Sequence, residues 1–215
     1  MQKPNDHKKE AERIKSLKSY LVLDTEAEEE IDNLTELASE ICETPISLVS
    51  LVDENRQWFK SKVGLEVNET SRELAFCAHA INKTNELFVV EDARTDKRFF
   101  DNPLVTSHPN VIFYASVVLK SDEDLPLGTL CVIDNVPRKL SDKQIRSLKM
   151  ISKQIMTLLN YKKSLRKQEE LSVQLLQKNL ELESFASIAA HDLKSPLANI
   201  IGSANLFSEI YAKQI

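Results

Sequence analysis

The sequence PISLVSLVDENRQWFKS at residues 45–61 contains two apolar runs that are separated by a polar turn. Residues 45–53 are rich in β-branched and apolar side chains, as expected for a strand that is covered on both faces. Asp53, Glu54 and Asn55 provide the turn, and residues 57–61 predict the returning strand. The segment therefore predicts a β-hairpin whose first strand is fully buried.

The rest of the first 160 residues continues this alternation of short strands and helices. Further strands are predicted at residues 88–91, 113–120 and 127–134, and helices at 8–23, 26–43 and 73–81. Thr25 and Glu28 have the spacing of a capping box, which predicts that the second helix begins there. About five strands joined by hairpins and helices predict an α/β domain of the α+β type, with a largely antiparallel sheet flanked by helices.

The composition excludes several functional classes. The 215 residues carry 28 basic and 33 acidic side chains, a net charge of −5. This balance argues against nucleic-acid binding as the main role, because backbone recognition needs a basic surface. The three glycines, Gly64, Gly128 and Gly202, lie far apart. Loops that cradle phosphates need clustered glycines, so a P-loop, a dinucleotide fingerprint and a glycine-rich ATP lid are excluded.

The sequence also predicts where the chain resides. Its charged N-terminus has no apolar region of the kind that a signal peptide needs. No window approaches the ~18–20 uninterrupted apolar residues of a membrane-spanning helix. Cys42, Cys77 and Cys131 are scattered in apolar neighbourhoods, which predicts buried, reduced thiols. We therefore expect a soluble, cytoplasmic chain without a membrane span.

A long helical region follows the first domain. Residues 143–195 contain neither glycine nor proline and are rich in Leu, Lys, Glu, Gln and Ser, which predicts one long helix or two consecutive ones. Positions three and four residues apart form a heptad seam, with one shortened step that indicates a change of register. The seam comprises Leu148, Ile151, Ile155, Leu158, Lys162 and Leu165, followed by Gln168, Ser172, Leu175, Asn179, Leu182 and Ala186.

The seam predicts a parallel homodimer through this helix from about Leu148 onward. The alternative is a solvated helix that packs on its own domain, which suits the portion up to about Leu159. Residues 161–183 are assigned to a coiled-coil linker.

The last part of the helical region has the sequence SFASIAAHDLKSPL at residues 184–197. At about 100° per residue, Phe185 and Leu193 lie in one apolar stripe, and His191 lies on the opposite face. Alone, such a histidine is better explained as an ordinary surface residue. Its neighbours favour a chemical role for His191, because Asp192 can orient or deprotonate the imidazole and Ser195 follows one turn later.

Pro196 has a separate effect on the helix. It removes the backbone amide that would bond the Asp192 carbonyl oxygen, so we expect a bend beside His191.

The heptapeptide at residues 191–197, preceded by Phe185, resembles the H-box of sensor histidine kinases of two-component systems. The family pattern is a histidine, an acid, an apolar residue, a basic residue, a small polar residue and Pro-Leu, and all seven positions agree. Aspartate replaces the more frequent glutamate at Asp192. In that family this segment lies on the first helix of the dimerisation and phosphotransfer domain.

The resemblance implies a role for each residue of the segment. His191 would be the phosphoacceptor that attacks the γ-phosphoryl group of ATP, and Asp192 the general base or orienter that holds Nδ1–H. Lys194 would neutralise phosphate charge, although an ordinary solvated lysine is the alternative. Ser195 matches the position that orients water during dephosphorylation, and Pro196 provides the bend.

Residues 1–160 resemble a GAF domain. The resemblance runs through segments 20–25, 46–53, 56–61, 76–81, 96–99, 102–105, 113–115 and 127–134. Ser116-Val117-Val118-Leu119 stands where the family often has Gly-x-Pro-Leu, which predicts a more regular strand.

The ligand of this domain is not predicted. Cys77 and His79 suggest a thiol-linked bilin or half of a metal site. However, bilin-binding relatives place the histidine directly after the cysteine, and a metal needs three or four ligands. We therefore expect a packed cysteine, a hydrogen-bonded or helix-surface histidine and no metal. Trp58 and Phe59 are expected to pack on the core, the alternative being a pocket wall.

The nearby polar residues are expected to be structural. Asp96, Arg98 and Asn102 are predicted to form loop structure or a loop-anchoring ion pair.

These observations predict a sensor domain at residues 1–160, a linker at 161–183 and a truncated phosphoacceptor helix at 184–215. The leading hypothesis is the regulatory half of a sensor histidine kinase, which autophosphorylates His191 and passes the phosphoryl group to an aspartate of a response regulator. ATP and Mg²⁺ would bind a catalytic domain outside the chain, so the fragment alone is expected to be inactive and without a cofactor. The alternative is a non-catalytic GAF dimerisation or signalling module.

Overall fold

The computed structural model describes residues 1–83 and 87–212, except for the side chains at positions 189, 192 and 206–212. The helices are α1 (Glu10–Ser19), α2 (Glu29–Cys42), α3 (Phe76–Ala80), α4 (Pro103–Thr106) and α5 (Asp142–Ala212), with a 3₁₀ turn at Arg72–Leu74. The strands are β1 (Ile46–Val52), β2 (Arg56–Val63), β3 (Glu69–Ser71), β4 (Leu87–Val90), β5 (Phe113–Lys120) and β6 (Pro126–Asp134).

The strands form one six-stranded sheet in the order β3-β2-β1-β6-β5-β4. Each pair of neighbours is antiparallel. All seven residues of β1 and all nine of β6 are buried, as expected for the central strands of a sheet that is covered on both faces. The predicted α+β fold with an antiparallel sheet is confirmed, and so is the regular β5, whose one register shift lies at its last residue.

Each face of the sheet carries its own hydrophobic core, because successive side chains of a strand point to opposite faces. The first core lies under the helices and includes Leu17 of α1, Ile31 of α2 and Ile155 of α5. The second core includes Phe59 of β2 and Tyr114 of β5.

The predicted capping box is wrong. α2 begins at Glu29, and Glu28 at the cap position makes no side-chain hydrogen bond to the helix end. Both capping candidates instead surround the buried ammonium of Lys60, which lies 2.7 Å from Thr25 Oγ1 and 2.9 Å from Glu28 Oε1. A buried charge must be paired and hydrogen-bonded, and this need outweighs the weaker benefit of a cap.

Two other predicted helices are shorter than the sequence indicates. The first ends at Ser19, and Leu21 has a left-handed φ of 51°, which a continuing helix does not tolerate. The helix predicted at residues 73–81 is divided by Ala75, whose backbone is extended. The 3₁₀ turn lies before this residue and α3 after it.

The chain divides into two compact units, Met1–Lys163 and Ser164–Ile215, and α5 runs through both. One continuous helix is therefore present where one or two were predicted, and it includes Pro196. In the first unit, Leu148, Ile155 and Leu159 are buried in the core of their own domain. The dimer seam therefore cannot begin at Leu148, and the alternative interpretation is correct for this portion.

No helix among the described residues has an apolar stretch long enough to span a membrane.

Candidate functional site

The predicted phosphoacceptor segment lies in the second unit, on α5. His191, Lys194 and Ser195 are all exposed. Positions three and four apart on a helix are neighbours, so His191 shares one side of α5 with both of the others. The side chain of Asp192 lies outside the described residues, and its role stays a prediction. The helix thus presents an imidazole, an ammonium and a hydroxyl group together to solvent.

Apolar side chains around this segment are also exposed. Phe185 is 70% exposed, and Ile188, Leu193, Leu197 and Ile200 are each more than half exposed. Covering one large apolar side chain is worth about 1.5–3 kcal/mol. A single exposed helix does not gain this free energy of burial, so the segment is suited to packing against other helices.

A second candidate site is a cavity of about 580 Å³ in the first unit. It lies on the face of the sheet that carries Phe59 and Tyr114, beside the start of α3 and α4. Small-molecule sites in proteins typically enclose about 300–1,000 Å³. The apolar part of its wall includes Leu48, Phe59, Phe76, Leu104, Val111 and Ile133.

The two aromatic residues of the hairpin have different roles. Trp58 packs in the core under the helices, as predicted. Phe59 packs in the opposite core, as predicted, and also forms part of the cavity wall. Because the other wall residues come from distant strands and loops, the sequence carries no local signal for this cavity.

Apart from the exposed polar residues at its rim, three polar side chains line the cavity. Gln57 is 6% exposed, and its Oε1 accepts a hydrogen bond from Cys77 Sγ. The hydroxyl of Thr70 is buried and has no partner among the described residues. Tyr114 is buried, with its hydroxyl 3.5 Å from Thr129 Oγ1. Burial raises the pKa of Tyr114 well above its usual value, so the phenol stays neutral.

Charge is confined to the rim of the cavity. Among the described residues that line it, none is lysine or arginine, Glu66 and Glu69 are exposed carboxylates, and His108 is an exposed imidazole. The Glu69 carboxylate lies 2.6 Å from the Arg56 guanidinium. That arginine also pairs with Asp24 and Asp53. The interior is therefore uncharged and weakly polar.

The side chains of Cys77 and His79 pack and form hydrogen bonds within the domain. Cys77 is fully buried, and burial raises the pKa of its thiol, which therefore stays protonated. The His79 ring lies edge-on against Phe99 at 4.9 Å, and its Nε2 is 3.1 Å from the Gln2 carbonyl oxygen. The preferred interpretation of a packed cysteine and a hydrogen-bonded histidine is confirmed. No group of three potential metal ligands occurs within residues 1–83 and 87–212.

All three cysteines are buried, as predicted, and each is a free thiol in the structure.

The predicted loop anchors are also confirmed. Asp96 and Arg98 form an ion pair of 2.5 Å. Asn102 Oδ1 accepts a hydrogen bond from the Leu104 amide at the start of α4, and its Nδ2 donates to the Leu74 carbonyl oxygen at 3.0 Å. These contacts fix α4, which contributes to the cavity wall.

A polar cluster, here called the exit cluster, holds the last part of α5 in the first unit. Lys162 pairs with Glu28, which also binds the fully buried ammonium of Lys60. Asn160 Oδ1 accepts a hydrogen bond of 2.7 Å from the Tyr20 hydroxyl. This cluster carries no signal in the sequence, because a lysine in a strand normally indicates an exposed position.

Comparison with known proteins supports the domain assignment. The GAF domain family model matches residues 26–159, more than half of the chain. A cyclic di-GMP phosphodiesterase of Pseudomonas aeruginosa is 36% identical over 168 residues, which cover 72% of this chain and 28% of that protein. The chain thus spans little more than a quarter of this curated relative.

Two solved structures are similar in fold. The GAF domain of a phosphoenolpyruvate-protein phosphotransferase from Acinetobacter has a TM-score of 0.53 at 14% identity, over 73% of this chain and 98% of that one. The free methionine-R-sulfoxide reductase of Neisseria meningitidis, in complex with its substrate, has a TM-score of 0.53 at 16% identity, over 72% and 90%. At such identities the likeness concerns the fold alone. The family match ends at residue 159, before the exposed part of α5.

Proposed function

The chain belongs to the GAF domain family, and on that premise we propose that it is the signal-sensing and phosphoacceptor part of a cytoplasmic sensor histidine kinase. The GAF domain binds a signal in its cavity, and α5 connects this domain to His191. The parent protein phosphorylates His191 from ATP. An aspartate of a response regulator then accepts the phosphoryl group.

The observation that carries this proposal is the seven-residue motif at positions 191–197, on a helix that begins inside the sensor core. Leu148 and Ile155 of α5 are fully buried in that core. The same helix continues to His191 without a glycine or proline. A movement of this helix in the sensor core can therefore reach the phosphoacceptor segment through one continuous helix.

The residues of the motif supply the nucleophile and its surroundings. The Nε2 atom of His191 attacks the γ-phosphorus, and the bond to the bridging oxygen breaks as ADP leaves. Asp192 holds the Nδ1–H group of the imidazole, and Lys194 neutralises phosphate charge. Phosphoryl transfer depends mainly on in-line placement and charge compensation. Ser195 orients water for dephosphorylation, and Pro196 locally weakens the helix.

The chain itself does not hold ATP in this proposal. Its three separate glycines cannot form a phosphate loop. A catalytic domain of the parent protein would bring ATP and Mg²⁺ to His191.

The variant His191→Gln in the full parent protein tests this proposal. We expect loss of all acid-labile, base-stable phosphate after incubation with radiolabelled ATP, because the amide cannot accept a phosphoryl group. His7→Gln, which lies outside the motif, is the matched control and should label normally. Unchanged labelling of the His191 variant would mean that the histidine kinase assignment is wrong.

A second candidate is a GAF module that regulates another signalling enzyme. The 36% identity to a cyclic di-GMP phosphodiesterase favours this possibility. In that case α5 transmits the signal, and His191 is an ordinary surface residue. The parent protein distinguishes the two candidates, since a second bundle helix and an ATP-binding domain after residue 215 would support the kinase.

A further inference from the structure

We propose that the cavity of the GAF domain takes an uncharged, largely aromatic compound with a carbonyl-type hydrogen-bond acceptor, and that it does not take a phosphorylated ligand. This inference rests on the proposed function only in treating the cavity as the sensory site. Three features of the cavity support it, namely the orientation of Gln57, the position of Thr70 and a rim in which carboxylates outnumber basic side chains.

The first feature is the side-chain amide of Gln57. Cys77 is fully buried, and its protonated thiol donates to Gln57 Oε1. This bond fixes the orientation of the amide. The oxygen is used by Cys77, and the NH₂ group remains as a hydrogen-bond donor. No hydrogen bond of Nε2 occurs within the part of the chain that the structure describes. Gln57 Nε2 is not one of the buried unpaired polar atoms of the described residues, so solvent reaches it, and a ligand acceptor can take the place of that water.

The second feature is the neighbouring hydroxyl group. Thr70 lies directly opposite Gln57 in the pairing of β3 with β2. Side chains at opposed positions have Cβ atoms about 4.5–5.5 Å apart. The Thr70 hydroxyl is buried and, within the described residues, also without a partner. Two adjacent polar groups therefore lie in the same wall, and a single carbonyl group or lactam that enters between them would meet both.

The rest of the wall defines the body of the ligand. Phe59, Phe76 and Tyr114 contribute aromatic rings, and the ring centres of Phe76 and Tyr114 are 5.1 Å apart. Aromatic rings prefer offset-stacked or edge-on aromatic partners. A flat aromatic compound in the cavity would therefore contact these aromatic rings.

The third feature is electrostatic. A phosphate group in this cavity would meet two rim carboxylates, those of Glu66 and Glu69, against a single exposed imidazole, that of His108. The guanidinium beside the rim, that of Arg56, is already paired with Glu69, Asp24 and Asp53. Burying an anion without a partner is strongly unfavourable. The cavity therefore selects against cyclic nucleotides and other phosphate esters.

Binding of three probes to the 215-residue chain, measured by ligand-observed NMR, tests the proposal. The probes are 2-quinolone, which has two rings and a lactam, naphthalene, which has two rings and no acceptor, and cyclic GMP. We expect 2-quinolone to bind about three- to tenfold more tightly than naphthalene, the usual net effect of one or two hydrogen bonds. No binding of cyclic GMP is expected. Tighter binding of cyclic GMP than of 2-quinolone, or no binding of 2-quinolone, would overturn the proposal.

Variants separate a binding role from a structural one. Gln57→Leu and Thr70→Val should each weaken 2-quinolone binding about three- to tenfold, whereas Gln177→Leu on the exposed part of α5 should not. Thr70→Val should leave the melting temperature of the ligand-free chain unchanged or raise it, because it removes an unpaired group. A lower melting temperature of Thr70→Val, or unchanged affinity in both cavity variants, would contradict the proposal.

The outcome is independent of the test of His191. Failure of 2-quinolone binding with normal labelling of His191 would reject the ligand class and leave the kinase assignment intact. Normal binding with unchanged labelling of His191→Gln would reject the kinase assignment alone.

Discussion

At the scale of single residues, buried charges determine details that sequence patterns do not reveal. Glu10 accepts hydrogen bonds from Arg13 and Arg72, and the Arg13 side chain is fully buried. Burial works against the Glu10 carboxylate, but these hydrogen bonds outweigh it and lower its pKa to about 2. A group whose folded-state pKa is lowered stabilises the fold above its unfolded pKa, and this contribution is lost as the pH falls through the folded value.

Replacing Glu10 therefore tests the charge cluster. Glu10→Gln should lower the free energy of unfolding at pH 7 by about 1–2 kcal/mol, after allowance for solvent screening. The difference from the unaltered chain should shrink between about pH 5 and pH 2. Urea unfolding at several pH values measures it, with the exposed Glu12→Gln as control. A difference that does not depend on pH would show that the carboxylate charge is unimportant.

At the scale of elements, the exit cluster determines how firmly the first unit holds α5. Lys60 and Phe59 are adjacent in β2, and their contacts lie on opposite faces of the sheet, since Phe59 packs in the second core and the Lys60 ammonium bonds the Glu26 carbonyl oxygen before α2. Phe59 lines the cavity, while the Lys60 ammonium binds Glu28, which pairs with Lys162 of α5. One strand thus connects the cavity wall with the outgoing helix.

The variant Lys60→Met tests this connection. It should speed amide hydrogen exchange at residues 156–163 and lower the free energy of unfolding by about 1–3 kcal/mol, because Glu28 loses a buried partner. Lys62→Met on the same strand, whose ammonium bonds an exposed carbonyl group, is the matched control. Unchanged exchange in α5 would show that the cluster does not hold the helix.

Elements also differ in how well the sequence predicts them. β1, β5 and β6 are apolar runs, and burial on both faces gives them their pattern. The sequence does not predict β3, because its three residues, ETS, are too few to show a periodic pattern. They form a strand only by pairing with β2. The spacing of Thr25 and Glu28 predicts a capping box, but both side chains bind the ammonium of Lys60, which lies more than 30 residues further along the chain. The cavity depends on residues that only the fold brings together.

At the scale of the whole molecule, the second part of α5 is suited to association with another chain. Leu175 and Leu182 lie seven residues apart and are each 65% exposed. A seven-residue apolar repeat along an exposed helix favours a parallel coiled coil. Asn179 between them is a polar residue of the kind that fixes register.

Light scattering tests the predicted homodimer. The 24.5 kDa chain should have twice its monomer mass at micromolar concentration. The double variant Leu175→Glu, Leu182→Glu should be monomeric, because like charges would face each other across the seam. Gln177→Glu on the opposite face of the helix should stay dimeric. Monomers of the unaltered chain would show that the seam does not associate.

The histidine kinase assignment depends most directly on one measurement, the position of phosphate in the parent protein after incubation with ATP and Mg²⁺. Mass spectrometry under alkaline conditions preserves phosphohistidine and identifies the modified residue. We predict phosphate on His191 and its transfer to a response regulator when one is added. Phosphate on another residue, or none at all, would contradict the assignment.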